Sequence, residues 1–221
     1  FYLEWIGSIQ NANGETAASF LFTKNKKFAD RTIIKRNIQS PKDLLYLARI
    51  KSGFDLSDTV SLVAGGSPLS GPNGTGENTN TQIYGADLFV KWRPLTADHG
   101  WPFVTLQAET MRRVYEAGAT STPLLSEEVF KNDGFYVQSL YGFTRRWVAG
   151  IRYEKADATE PLNPATGGRE RVSSNLTFYP SEFSKFRLQY NHDRSGDRDR
   201  AIEAVFVQYE FLMGAHGAHT F

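Results

Sequence analysis

In the stretch Trp147-Val148-Ala149-Gly150-Ile151-Arg152-Tyr153-Glu154, Trp147, Ala149, Ile151 and Tyr153 fall on one side, and Gly150, Arg152 and Glu154 on the other. A period of two belongs to the extended strand, whose successive side chains leave opposite faces. One amphipathic strand fits either a soluble core or a lipid contact, so the full set has to decide. The same alternation recurs. Phe186, Leu188 and Tyr190 oppose Arg187, Gln189 and Asn191, while Val172, Leu176 and Phe178 oppose Ser173, Asn175 and Thr177. Tyr84, Ala86, Leu88, Val90 and Trp92 oppose Asp87 and Lys91, and Val205, Val207, Tyr209 and Phe211 close the series.

Strands are expected over 1–9, 43–54, 59–65, 82–93, 102–115, 135–143, 146–156, 171–179, 185–191 and 200–212. The stretch 16–38 reads as two further strands or as one long structured loop. Links between strands alternate in length. Short ones lie near Leu56-Ser57-Asp58, Pro94–Gly100, Thr144-Arg145-Arg146 and Pro180-Ser181-Glu182. Long ones occupy 66–81, 117–133, 157–169 and 194–199, with Gly, Pro, Asn and Thr clusters such as Gly71-Pro72-Asn73-Gly74-Thr75-Gly76. Outer-membrane barrels are built this way, with tight periplasmic turns and longer extracellular loops. A Greek-key sandwich has no reason to keep that parity. Aromatic residues near strand ends, namely Trp92, Trp101, Tyr115, Tyr136, Trp147 and Tyr179, are expected to form belts at the two membrane interfaces.

Composition agrees. Aromatic residues make up 14% of 221, yet mean hydropathy is −0.41, the balance of strands wetted by lipid on one side and water on the other. The formal charge of +1 and the lack of a basic stripe speak against nucleic acid. With no cysteine there are no disulfides and no thiolate chemistry. No apolar run approaches the roughly 20 residues of a membrane helix. The chain begins on strand-like Phe1-Tyr2-Leu3-Glu4-Trp5, so part of the N-terminal sequence is expected to be missing.

With Trp147 and Ile151 toward lipid, Arg152 and Glu154 turn inward. Arg49, Lys51, Asp87, Lys91, Gln107, Glu109, Arg187 and Gln189 join them as the expected pore lining. Mixed charge there filters solutes through a transverse field, or, in a narrow barrel, fills the interior with ion pairs. His216 and His219 in the tail supply half of a zinc site if the tail turns, and no cysteine or nearby carboxylate completes it. No other cofactor is indicated. His192-Asp193, beside Asp197 and Asp199, offers the only hint of a hydrolase. Adjacent strand residues point to opposite faces, however, and a solvated hairpin with Arg194, Arg198 and Arg200 explains the cluster. Gly65-Gly66 and Gly71–Gly76 open no helix, so phosphate-loop and dinucleotide readings fail.

Four stretches carry a family resemblance: Phe54-Asp55-Leu56-Ser57-Asp58; Tyr84-Gly85-Ala86-Asp87-Leu88 leading to Lys91-Trp92-Arg93-Pro94; residues 176–190; and Gly214-Ala215-His216-Gly217-Ala218-His219. Over roughly residues 43–221 the chain resembles a family of bacterial outer-membrane β-barrels. Its members are labelled hypothetical outer-membrane proteins or zinc-regulated TonB-dependent outer-membrane receptors. The resemblance implies a porin-like barrel. Active transport is not implied, because a plug domain and about 22 strands are not read in this chain.

The expectation is therefore an all-β, antiparallel transmembrane β-barrel of at least ten strands over 1–213, followed by a periplasmic tail or strand end at 214–221. It would be a non-enzymatic, porin-like passive channel in the bacterial outer membrane. A surface receptor linked to metal uptake or to a partner protein, and an outer-membrane hydrolase, are the alternatives. Expected partners are outer-membrane lipid, the barrel-assembly machinery (which reads a terminal aromatic, Phe211 or Phe221) and a homo-oligomer or a periplasmic or extracellular protein.

Overall fold

Strands this amphipathic must satisfy their backbone groups sideways, and here they do so in a single sheet. The computed structural model describes residues 1–14, 19–22, 27–34, 37–121, 123–158, 167–196 and 199–213. Ten strands run in chain order: β1 (Tyr2–Asn11), β2 (Leu44–Ser57), β3 (Val60–Pro72), β4 (Asn80–Trp92) and β5 (Phe103–Ala117), then β6 (Glu128–Thr144), β7 (Trp147–Ala156), β8 (Arg169–Ser181), β9 (Ser184–Ser195) and β10 (Ile202–Phe211). Each is antiparallel to the next, and spatial order equals sequence order. All ten expected strands are present. Among the described residues β1 pairs only with β2 and β10 only with β9, so the sheet is open. The described residues include no α-helix, and no helix long and apolar enough to cross a membrane.

Strand ends differ from the sequence expectation at its Gly- and Pro-rich places. Residues 66–72, expected in a loop, continue β3. Glycine at these positions answers close approach by neighbouring side chains rather than a turn. A Cβ on Gly65 would lie 2.8 Å from Asp87 Oδ1 and 2.9 Å from Arg49 Nη2, and one on Gly71 would lie 2.7 Å from Leu45 Cδ1. Likewise 128–133 belong to β6. Links 58–59, 145–146 and 182–183 are tight, but 93–102 is not, so the short-turn parity holds at three of its four positions.

The register sorts every strand into two faces. One row runs Glu4–Lys51–Gly65–Asp87–Glu109–Tyr136–Glu154–Arg171–Asp193. The next row, on the opposite face, runs Leu3–Ser52–Ala64–Leu88–Ala108–Val137–Tyr153–Val172–His192. Burial is inverted between them. On the apolar face Trp147, Ile151, Leu188 and Val205 are 36, 57, 53 and 66% exposed. On the polar face Arg152 and Glu154 are 33 and 29%, and Arg49 and Asp87 are 30 and 27%.

Among the described residues a conventional apolar core exists only at the long-loop end, and it belongs to the polar face. Among its described residues, the stretch left open as two strands or a structured loop forms two-residue pairings only, Leu21–Phe22 with the preceding Asn13–Gly14 and Lys27–Phe28 with Arg31–Thr32. Ala12, Phe20 and Leu21 pack on Leu45, Leu69 and Ile83, while Phe28, Ala29 and Ile33 cluster with Tyr115, Ala117 and Phe130. Phe28 stacks on Tyr115 at 4.1 Å.

Candidate functional site

All ten residues expected to line an interior share the polar face: Arg49, Lys51, Asp87, Lys91, Gln107, Glu109, Arg152, Glu154, Arg187 and Gln189. They do so because each alternates with an apolar neighbour, and one register shift would have turned a whole strand over. The structure gathers them into two charged groups.

The first spans β1–β4. Lys51 Nζ lies 3.4 Å from Glu4 Oε1, and Arg49 Nη2 lies 2.7 Å from Asp87 Oδ1. Arg49 and Asp87 sit on β2 and β4, so their bond crosses β3, and the missing side chain of Gly65 is what lets it cross. The second spans β5–β9. Gln107 Nε2 donates to the Tyr136 hydroxyl at 2.9 Å, and the Arg152 guanidinium sits 3.8 Å from the centre of the Tyr136 ring. Arg152 Nε donates to Glu154 Oε2 at 2.6 Å; Glu154 Oε1 meets Arg171 Nη1 at 3.3 Å, and Arg171 bonds on to Asp193. Tyr136, Arg152, Glu154, Arg171 and Asp193 border a cleft of about 480 Å³. Alternating sign across these strands gives a ladder of charge in which every member is held by its neighbour.

Toward the short-turn end the remaining charges of the polar face lie among neutral hydrogen-bonding side chains. Arg187 Nε donates to Thr177 Oγ1 at 3.0 Å, Thr177 Oγ1 to Asn175 Oδ1 at 3.4 Å, and Gln189 Nε2 to Asn191 Oδ1 at 2.9 Å. Lys91 stands on this face between Ser61 and Thr105.

Sequence reasoning missed Arg171 and Glu4, although the signal was there. Arg171 continues the polar series Ser173, Asn175, Thr177, and Glu4 lies between Leu3 and Trp5. Among the expected belt aromatics, Trp92 and Trp147 lie on the apolar face, in the rows of Leu188 and Phe186. Tyr115 and Tyr136 do not. Both occupy the polar face, Tyr115 fully buried and Tyr136 inside the charge ladder, because their register partners are polar-face residues. Trp101 packs on Phe103 over Gly142, also on the polar face.

His192 and Asp193 diverge as adjacent strand residues must. His192 Nδ1 is 2.7 Å from Glu203 Oε1 on the apolar face, while Asp193 joins the ladder on the other. The pair makes no catalytic dyad. His216 and His219 lie outside the described residues, as do Asp197 and Arg198. Among the described residues no group of three or more His, Asp or Glu is arranged to hold a metal.

The apolar band has a polar border at its long-loop end. Arg112 binds Asp133 through two nitrogens at 2.7 and 2.8 Å, Lys155 Nζ lies 2.8 Å from Glu170 Oε1, and His192 meets Glu203, to which Tyr190 also donates at 2.5 Å. In the register Asp133 is two residues from Phe135, the row of Lys155, and Glu170 is two residues from Val172, the row of His192. The border therefore drops two residues for every two strands. With a rise of about 3.3 Å and a spacing of about 4.8 Å, it is inclined about 35° to the perpendicular of the strands.

No family model matches the chain, and no solved structure matches it significantly. A protein of Aquifex aeolicus (strain VF5), described as an uncharacterized protein, is 28% identical over 202 residues, covering 82% of this chain and 42% of that relative. The chain thus spans less than half the length of the curated relative it matches.

Proposed function

We propose that the chain is part of a bacterial outer-membrane β-barrel of the family it resembles, working as a porin-like passive channel for small solutes. The observation that carries this reading is the inversion of burial. A water-soluble sheet hides Leu, Ile, Val and Trp and displays Arg and Glu. Here Ile151, Leu188 and Val205 stand exposed, while Arg152, Glu154, Arg171 and Asp193 shelter among one another. Hydrocarbon is the solvent for which that arrangement is favourable.

The oblique border of ion pairs supports the same reading independently. Strands of membrane barrels tilt by about 35–45°, so a horizontal water–lipid boundary must cross them obliquely. A border inclined at about 35° is what such a tilt produces. Trp92, Trp147, Phe186 and Tyr209 border the short-turn end on the same face, as an aromatic girdle would. The open edges of β1 and β10 require closure by further strands or by each other. In the closed barrel the charge ladder would face the lumen and impose a transverse field on passing solutes.

Reconstitution of the protein into planar bilayers tests the proposal. Stepwise ion conductance is expected, and bilayers that stay silent at high protein loading would overturn the channel reading.

A further inference from the structure

The polar face is unevenly covered. At the long-loop end of β2–β6 it lies beneath the described residues of the segment between β1 and β2; at β7–β9 it carries the ion pairs of the charge ladder. The covering part is firmly held. Arg31, 3% exposed, donates from Nε to the Gly118 carbonyl at 2.8 Å, from Nη1 to that of Ala29 at 3.1 Å and from Nη2 to that of Ser126 at 2.7 Å. It also reaches Glu128 Oε2 at 3.4 Å and stacks over the Phe130 ring. Ile34 N–H donates to the Gly74 carbonyl at 2.7 Å, and the Ile33 side chain fills the space above Gly74. The tip turns at Ala29 and Asp30, with φ of 46° and 61°. A left-handed alanine persists only where its surroundings over-determine it, and Ala29 is 8% exposed in the cluster of Phe28, Tyr115 and Phe130.

We infer that residues 27–34 form a fixed stopper over the β3–β6 side of the long-loop mouth, positioned by Arg31, so that solutes pass along β7–β10. This rests on the channel reading for its route, but not for the stopper itself. Selectivity then falls to Arg152, Glu154, Arg171 and Asp193, while Arg49 and Asp87 lie on the obstructed side. A guanidinium suits the anchoring role because its planar fork serves several carbonyls at once, which an ammonium cannot do.

Ala117, 2% exposed in the cluster with Phe28, Ala29 and Ile33, reports on the stopper. The chain has no native cysteine, so Ala117→Cys introduces a single thiol that can be labelled selectively in the membrane-embedded protein. A small membrane-impermeant maleimide is expected to leave that thiol unmodified in the parent and to modify it readily when Arg31→Ala is added, with Arg31→Lys in between. In bilayers Arg31→Ala is expected to raise single-channel conductance without moving the reversal potential, whereas Arg171→Gln moves the reversal potential toward cation preference. Where Arg31→Ala fails to fold, Ile33→Ser loosens the same contact and must expose the thiol. Equal labelling at position 117 with and without these changes overturns the stopper. A newly reactive thiol with unchanged conductance overturns the route, and bilayers silent for every variant overturn the channel reading while labelling still judges the stopper.

Discussion

Two regions of the polar face are stabilised by different physics. At the long-loop end of β2–β6, Phe28, Ile33, Tyr115 and Phe130 make a dry apolar cluster like that of any soluble domain. Across β5–β9, Arg152, Glu154, Arg171 and Asp193 leave room for water and hold one another by charge. A dry cluster beside a wet ladder separates two arrangements that one surface would combine poorly: closing space, and holding charge within reach of water. The opposite, apolar face needs neither, since its partner is the surrounding solvent.

This contrast can be broken from either side. The largest effect is expected at the dry cluster. Phe28→Ala removes a ring 4.1 Å from Tyr115 and should cost about 3–5 kcal/mol in denaturant unfolding from bilayers. A change below about 1 kcal/mol would show that the cluster is not a core. Next comes the apolar face, where Ile151→Arg places a charge at mid-height of the band and should destabilise the inserted state by about 2–4 kcal/mol. Unaltered insertion would mean that Ile151 does not meet lipid.

Gly65→Val sharpens the comparison within the polar face. Its Cβ would stand within 2.9 Å of both Arg49 and Asp87, so the ion pair should part at an overpacking cost of about 1–3 kcal/mol. The double variant Gly65→Val/Asp87→Ala should lose less than the two single changes added together. Removing charge from the ladder should act on permeation rather than on folding: Asp193→Asn leaves Arg171 less compensated, and the reversal potential should shift toward anion preference with little change in unfolding. The smallest effect belongs to the outer border. Arg112→Ala, at an exposed pair, should leave unfolding unchanged within error, because surface ion pairs contribute little.

The sheet was largely legible in the sequence, because alternation with a period of two needs no tertiary information. Leu188 between Arg187 and Gln189 declares its face whatever surrounds it. The ends of β3 were not legible. Gly65, Gly66 and Gly71 look like loop residues, yet the first and last are small because Asp87, Arg49 and Leu45 crowd against them across the sheet. The ten residues read together from the alternation do share one face of the sheet, while their pairing was hidden. The Arg49–Asp87 contact skips a strand, and Arg152 chooses Tyr136 and Glu154 for reasons of local geometry. Least legible was the stopper. Phe28, Ala29, Arg31 and Ile33 follow no period, and only the fold shows that carbonyls of Gly118 and Ser126 surround the guanidinium.

Lipid contact by the apolar face is most directly tested by spin-label accessibility along β7 in liposomes, one cysteine at a time from 147 to 156. Positions 147, 149, 151 and 153 should be relaxed by oxygen, which concentrates in hydrocarbon, while 150, 152 and 154 should be relaxed by a water-soluble nickel chelate. Loss of that alternation, or its reversal, would contradict a sheet turned toward lipid by its apolar face.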